Sequence, residues 1–280
     1  IITKTKVMKL TSLLLGIDNP KESLHYYINI LGMSLIDSVE IEEGTRYKLR
    51  FPNSPNSASL ELLYKNKNNK NWNGVDNYEE NRFDNYWKYS LFVNDVDRVY
   101  EHLDEQYLTG QPYQFMQIGY LLHTKDNTNY KIEYIQKYFK ENTKPTLPEK
   151  QYPLMESPVF GLITLRTIDP VKAIKFFENN FSLKFIERMH VPKENQKGFT
   201  LYFLGPKNLN IPNSADPDAI ENREWMYQQK ETFIELQYYW NTEFQSDFNL
   251  NDKSNNKLGL KGIVFECDNL DLATSALKKA

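Results

Sequence analysis

Residues 18–35 of this chain recur 150 positions later. The first copy reads Asp18-Asn19-Pro20-Lys21-Glu22-Ser23-Leu24-His25-Tyr26-Tyr27-Ile28-Asn29-Ile30-Leu31-Gly32-Met33-Ser34-Leu35, and the second runs from Ile168-Asp169-Pro170 to Phe181-Ser182-Leu183-Lys184-Phe185. At that offset Tyr27 aligns with Phe177, Leu31 with Phe181, Met33 with Leu183 and Leu35 with Phe185. A chain made of copies at a fixed offset folds as copies of one supersecondary unit. In each copy a proline follows a capping Asn19 or Asp169, where its missing N–H costs nothing at a helix start. Leu24, Tyr27, Ile28 and Leu31 share one helical face, and Gly32 supplies a left-handed exit. Strand-like runs flank the helix at 10–17, 33–41, 45–51 and 59–64, so the unit reads βαβββ.

A weaker kinship aligns Tyr89–Asp97 with the segment at Gly262–Leu270, with Asp95 and Asp268 as matched helix caps 173 apart. The longer offset places an inserted loop at 205–229, rich in Pro, Asn and Asp. Four modules follow: about 8–64, 87–140, 158–241 and from 258. The fourth is expected to be cut short, with three more strands beyond Ala280. The prolines of 142–158 mark a linker, which divides the chain into a first domain at 1–145 and a second at 155–280.

Composition narrows the rest. In 280 residues, 40% hydrophobic and 25% charged residues exclude a disordered chain. Tyr 19 and Phe 16 predict a core built from rings. A net charge of -3 lacks the basic excess that nucleic acid demands. A single cysteine, Cys267, excludes an internal disulfide and a Cys-rich zinc site. No apolar run reaches the roughly 18 residues of a membrane span, which predicts a soluble chain with no membrane partner. The Asn/Lys tracts at 65–71 and 249–257 read as exposed loops.

Tandem βαβββ modules resemble the vicinal oxygen chelate superfamily. Glu224-Trp225-Met226-Tyr227-Gln228-Gln229, Thr232-Phe233-Ile234-Glu235-Leu236 and Trp240-Asn241-Thr242-Glu243 are similar to glyoxalase I in particular. The Asn-rich loops resemble those of glyoxalase I-like proteins of malaria parasites, which implies a plastid-like organelle (apicoplast), with a cytoplasmic location otherwise. The resemblance implies an α+β fold of paired modules, each pair enclosing a divalent metal. One ligand comes from the first strand and one from the last strand of each module, a glutathione hemithioacetal sits beside the ion, and a ligand glutamate moves the substrate proton.

Carried onto this chain, the last-strand positions are Glu61, Glu133 and Glu235. The first-strand positions, His or Gln in the family, fall on Ser12, Lys88, Leu162 and Lys261. Leucine offers no donor, and a protonated lysine has no lone pair and repels a cation. Modules one and four are expected to form one cleft, with Ser12, Glu61 and Lys261. Modules two and three are expected to form the other, with Lys88, Glu133, Leu162 and Glu235. Lysine between carboxylates can replace the metal's charge, so the expectation is degenerate metal sites, no cofactor and loss of lactoylglutathione lyase activity. The product is then a small-molecule-binding or structural protein, with a homodimer expected. The alternative is an active lyase or another metal-dependent enzyme using weakly held Zn, Ni, Mg or Mn. A third reading gives the chemistry to Lys88 or Lys261 without metal.

For a glutathione-related ligand, Arg166 stands where the family sets an arginine against a glutathione carboxylate, Gly16 stands there in module one, and Tyr239 replaces an asparagine. A surface-facing strand arginine paired with a neighbouring acid is the competing reading of Arg166. His25, His102, His123 and His190 fall at no ligand position and read as structural, as does Cys267. No Gly-rich phosphate loop or Ser-His-Asp arrangement appears.

Overall fold

A computed structural model describes residues 8–65, 78–142, 154, 158–193, 198–252 and 258–278. Most of the two Asn/Lys tracts and of the proline-bearing linker lies outside them.

Three full βαβββ units and the opening of a fourth are present. The first holds β1 (Met8–Ile17), α1 (Pro20–Leu24), β2 (Ser34–Ile41), β3 (Gly44–Arg50) and β4 (Ser59–Lys65). The second holds β5 (Tyr86–Val93), α2 (Val96–His102), β6 (Tyr113–Phe115), β7 (Gly119–Lys125) and β8 (Lys131–Gln136). The third holds β9 (Val159–Arg166), α3 (Pro170–Asn180), β10 (Leu183–Val191), β11 (Phe199–Pro206), α4 (Ile220–Tyr227) and β12 (Phe233–Tyr239). The fourth opens with β13 (Gly259–Cys267) and α5 (Leu270–Leu277).

The caps act as their chemistry requires. Asn19 accepts from the Glu22 amide and Asp169 from the Lys172 amide, with Pro20 and Pro170 opening the helices. Helix α1 widens into a π-helical stretch over His25–Ile30 and leaves through Gly32 at φ 78°. Two expectations need correction. The insert at 205–229 is not all loop, because it contains α4, whose Met226 and Tyr227 are buried. In the fourth module the side chain over the first helical turn belongs to Asn269, which accepts from the Leu272 amide at 3.0 Å, and not to Asp268.

The strands form two sheets, ordered β13-β1-β4-β3-β2 and β10-β11-β12-β9-β5-β8-β7-β6. Within each full module the first strand lies parallel to the last, β1 on β4, β5 on β8 and β9 on β12, as a helical crossover demands. Between modules the first strands pair antiparallel, β1 with β13 and β5 with β9. Modules two and three therefore share one continuous sheet, and module one shares the other with the start of module four.

A ring-rich core joins the sheets. Tyr26, Tyr27, Tyr86, Tyr89, Tyr130 and Tyr134 are buried in it. Their hydroxyls need partners, and several bridge the layers: Tyr27 donates to Asp126 at 2.6 Å, Tyr89 to Tyr27 at 3.1 Å and Tyr130 to the Gly16 carbonyl at 2.6 Å. No helix among the described residues is long and apolar enough to cross a membrane.

Candidate functional site

The face of the second sheet turned away from the tyrosine core bounds a cavity of about 260 Å³. Period-two alternation decides which side chains reach it. On β5, Tyr89 and Leu91 enter the shared core, while Lys88, Ser90 and Phe92 take the other face; on β8, Glu133 and Ile135 do the same, and on β12, Phe233, Glu235 and Gln237. Trp87, Tyr113, Phe115, Phe199, Phe203, Tyr227 and Tyr239 complete much of the wall. Helix α4 closes one side by reaching across to module two. Arg223 donates to the Gln117 carbonyl at 2.7 Å, Tyr227 to the Ile118 carbonyl at 3.0 Å, and Glu224 accepts from the Phe139 amide at 2.8 Å.

The floor is a buried charge cluster. Nζ of Lys88, 1% exposed, lies 2.5 Å from Oε2 of Glu133 and 3.2 Å from Oε2 of Glu235, with Ser90 Oγ at 3.4 Å. Ser90 donates to Glu133 at 2.7 Å, and Thr164 donates to Glu235 through a short hydrogen bond. Burial opposes charge on Lys88, yet the two carboxylates outweigh it and hold the ammonium above the ordinary lysine range. Burial likewise raises Glu133, but Lys88 and then His123 prevail and leave it below its usual value. Glu235 remains raised, because burial is opposed by the more distant Lys88 and reinforced by the charge on Glu133.

Of the sequence-predicted residues, Lys88, Glu133 and Glu235 come together, and Leu162 lines the same cavity as apolar wall. The polar donor that β9 supplies is instead Thr164, which stands opposite Glu235 in the β9–β12 register. His123, read from sequence as a structural histidine away from any ligand position, also lines the cup. Its Nε2 lies 3.1 Å from Oε1 of Glu133, a polar contact rather than an aligned hydrogen bond. The sequence carried a signal for it: a tight turn at Asp126–Tyr130 places 123 opposite 133 by counting outward.

Arg166 is buried behind the wall. Its Nε donates to Gln237 at 2.9 Å, Nη1 to the Asn81 carbonyl at 2.8 Å, and Nη2 to Glu80 at 2.5 Å. It is a strand arginine paired with an acid, but inside the protein and not on its surface. Another buried acid had no signal in the sequence reading. Glu187 on β10 is fully buried, neither carboxylate oxygen has a hydrogen-bond partner, and Nε of Arg223 stands 3.9 Å away. Burial raises its pKa well above the carboxylate range.

The first sheet handles its carboxylate differently. Glu61 accepts from Ser12 at 2.6 Å, and its cationic contacts are Arg46 and Lys48 of β3, each at 3.4 Å. Lys261, expected beside Glu61, donates to the Leu258 carbonyl at 3.3 Å, and burial and the Lys65 charge push its pKa down to about 8. Among the described residues there is no group of three or more His, Cys, Asp or Glu placed to hold a metal ion.

The structure is similar to glyoxalase I from Zea mays, with a TM-score of 0.66 at 18% identity over 99% of this chain and 80% of that one. It is also similar to a putative dioxygenase from Bacillus subtilis, with a TM-score of 0.54 at 13% identity over 98% of this chain and 76% of the other. The sequence matches no family model and no curated protein. At these identities the likeness shows the fold, which is the α+β vicinal oxygen chelate fold of the glyoxalases.

Proposed function

We propose that the cup between modules two and three binds a small molecule, that Lys88 stands where the fold family carries its divalent metal, and that the chain does not isomerise the methylglyoxal–glutathione adduct. One observation carries this reading: the Lys88 ammonium touches both Glu133 and Glu235. A metal in that place needs lone pairs from both strands of each module. Here the first strands offer Lys88, whose pKa is raised, and apolar Leu162, and Ser90 and Thr164 already donate to the carboxylates. The donor set does not fit a divalent cation. Lys88 and His123 also hold Glu133 as a weak base. Among the described residues Glu61 forms its ion pairs with Arg46 and Lys48, and it belongs with them as a structural acid.

What remains for these residues is binding. The rings exclude water, and the fixed charges of the floor orient whatever enters. A glutathione conjugate needs partners for its carboxylates, and the arginine expected to supply one is committed to Glu80 and Gln237. Self-association belongs to the same reading: Leu35, Ile36, Val39 and Ile41 leave β2, an edge strand, with an exposed apolar surface.

The test assays the dialysed chain with methylglyoxal and glutathione, alone and with Zn, Ni, Mg or Mn, alongside elemental analysis. No turnover and no stoichiometric metal are expected. Metal-dependent turnover sinks the proposal and restores the lyase.

A further inference from the structure

We infer that the cup takes a compact organic cation, a single ring on a short arm ending in a protonated amine, which donates to Oε1 of Glu235. The inference rests on the reading that Lys88, not a metal, occupies the floor.

Charge balance points this way first. The buried floor sets two glutamates against the single ammonium of Lys88, and a buried carboxylate oxygen left without a partner calls for a donor. Lys88 has nothing further to give, since its three protons face Glu133, Glu235 and Ser90. The two carboxylates are not equally provided for. Glu133 receives Lys88 and Ser90 on Oε2 and the His123 ring at Oε1. Glu235 receives both Lys88 and Thr164 on Oε2, and among the described residues no donor is assigned to its Oε1, although the side chain borders the cavity. That oxygen is the acceptor left for a ligand.

The wall agrees with the floor. Aromatic faces attract cations, and two rings of this wall already do so within the chain: the Arg82 guanidinium lies 5.3 Å from the Tyr239 centroid, and Nζ of Lys193 lies 5.5 Å from that of Phe199. Lys193 is exposed, so solvent screens its charge, and the buried floor decides the sign of what enters. An anion would face Glu133 and Glu235. The volume of about 260 Å³ lies below the roughly 300–1,000 Å³ of drug-sized pockets, which suits one ring with a short arm.

The experiment titrates the full chain with 2-phenylethylamine, its neutral isostere 2-phenylethanol, 3-phenylpropanoate and S-hexylglutathione, read by calorimetry and by tryptophan fluorescence. The amine is expected to bind at least about ten-fold tighter than the alcohol, the factor a charge-assisted hydrogen bond supplies. Glu235→Gln should bring the amine down to the alcohol's affinity, whereas Lys193→Gln at the rim should not weaken it. If Glu235→Gln does not fold, the ranking of the four ligands on the unaltered chain decides alone. Equal binding of amine and alcohol, preference for either anion, no saturable amine binding, or a preference that survives Glu235→Gln overturns the inference. Metal-dependent lyase turnover would instead sink the reading beneath it, whatever the ranking. An inactive, metal-free chain that prefers an anion sinks only this one.

Discussion

The two sheets share a strand plan and part company at the counterion. In the second sheet the cation for Glu133 and Glu235 comes from the first strand, at Lys88, and is sealed beneath the rings. In the first sheet the first strand supplies only Ser12, and the cations for Glu61 arrive from β3 on side chains 43% and 37% exposed. A carboxylate at one topological position, buried in both sheets, is therefore held by a buried cation in one and by half-exposed cations in the other. Coulomb attraction in a buried cluster is several-fold stronger than at the surface, but so is the penalty for leaving one member unpaired. A pair whose cation reaches water loses part of both terms to the solvent.

That contrast can be broken most forcefully at Lys88. Lys88→Met should destabilise the protein by about 3–5 kcal/mol in urea unfolding at neutral pH, because two buried acids lose their shared cation. Adding Glu235→Gln should return part of the loss, and a Lys88→Met protein as stable as its parent would show that the cluster is not the buried network described here. The next effect follows pH and belongs to the layer between the sheets. Burial raises Asp126 to about 6, against the pull of Tyr27 and the Tyr130 and Thr128 amides. A raised carboxyl binds its proton more tightly in the folded state, so its contribution is complete below the unfolded value and fades as pH rises through about 6. Stability should thus fall from pH 4 to 6 by about 2 kcal/mol through this group, and Asp126→Asn should flatten that slope in denaturant titrations across the window. Smaller still is Tyr130→Phe. Its hydroxyl bonds to Gly16 and Gly259 of the first sheet, and its loss should cost about 1–3 kcal/mol, since the Gly259 amide would be left without it. Least of all is Lys48→Ala, expected to move the midpoint by under about 1 kcal/mol; a loss matching that of Lys88→Met would erase the distinction between the sheets.

Much of this was legible beforehand. The 150-residue repeat, the prolines at Pro20 and Pro170 and the alternation around Glu133 and Glu235 determine elements and facing, because they depend on local geometry. The pairing of module one with four and two with three followed from the superfamily pattern. What escaped the reading depends on register across strands distant in sequence. Thr164 is a donor only because β9 lies parallel to β12 with 164 opposite 235. Arg46 and Lys48 reach Glu61 because β3 places Lys48 directly opposite it, and Lys261 falls at an irregularity between the Leu14 and Leu15 pairings of β1 and β13. Helix α4 was lost among Pro, Asn and Asp because its stability comes from docking Met226 and Tyr227 rather than from propensity.

The strand order also sets a timetable for synthesis. Every strand of the eight-stranded sheet lies between Tyr86 and Tyr239, so it can close while translation continues. Strand β1 has emerged long before, yet one of its edges waits for β13, where Ser12 meets Val264 about 250 residues downstream. Closing so long a loop is slow. The amides of β5 and β9 should therefore be protected from exchange while those of β1 are still half open, and until β13 arrives the nascent chain exposes a leucine-rich strand with one free edge that a chaperone or a neighbouring ribosome's product could seize.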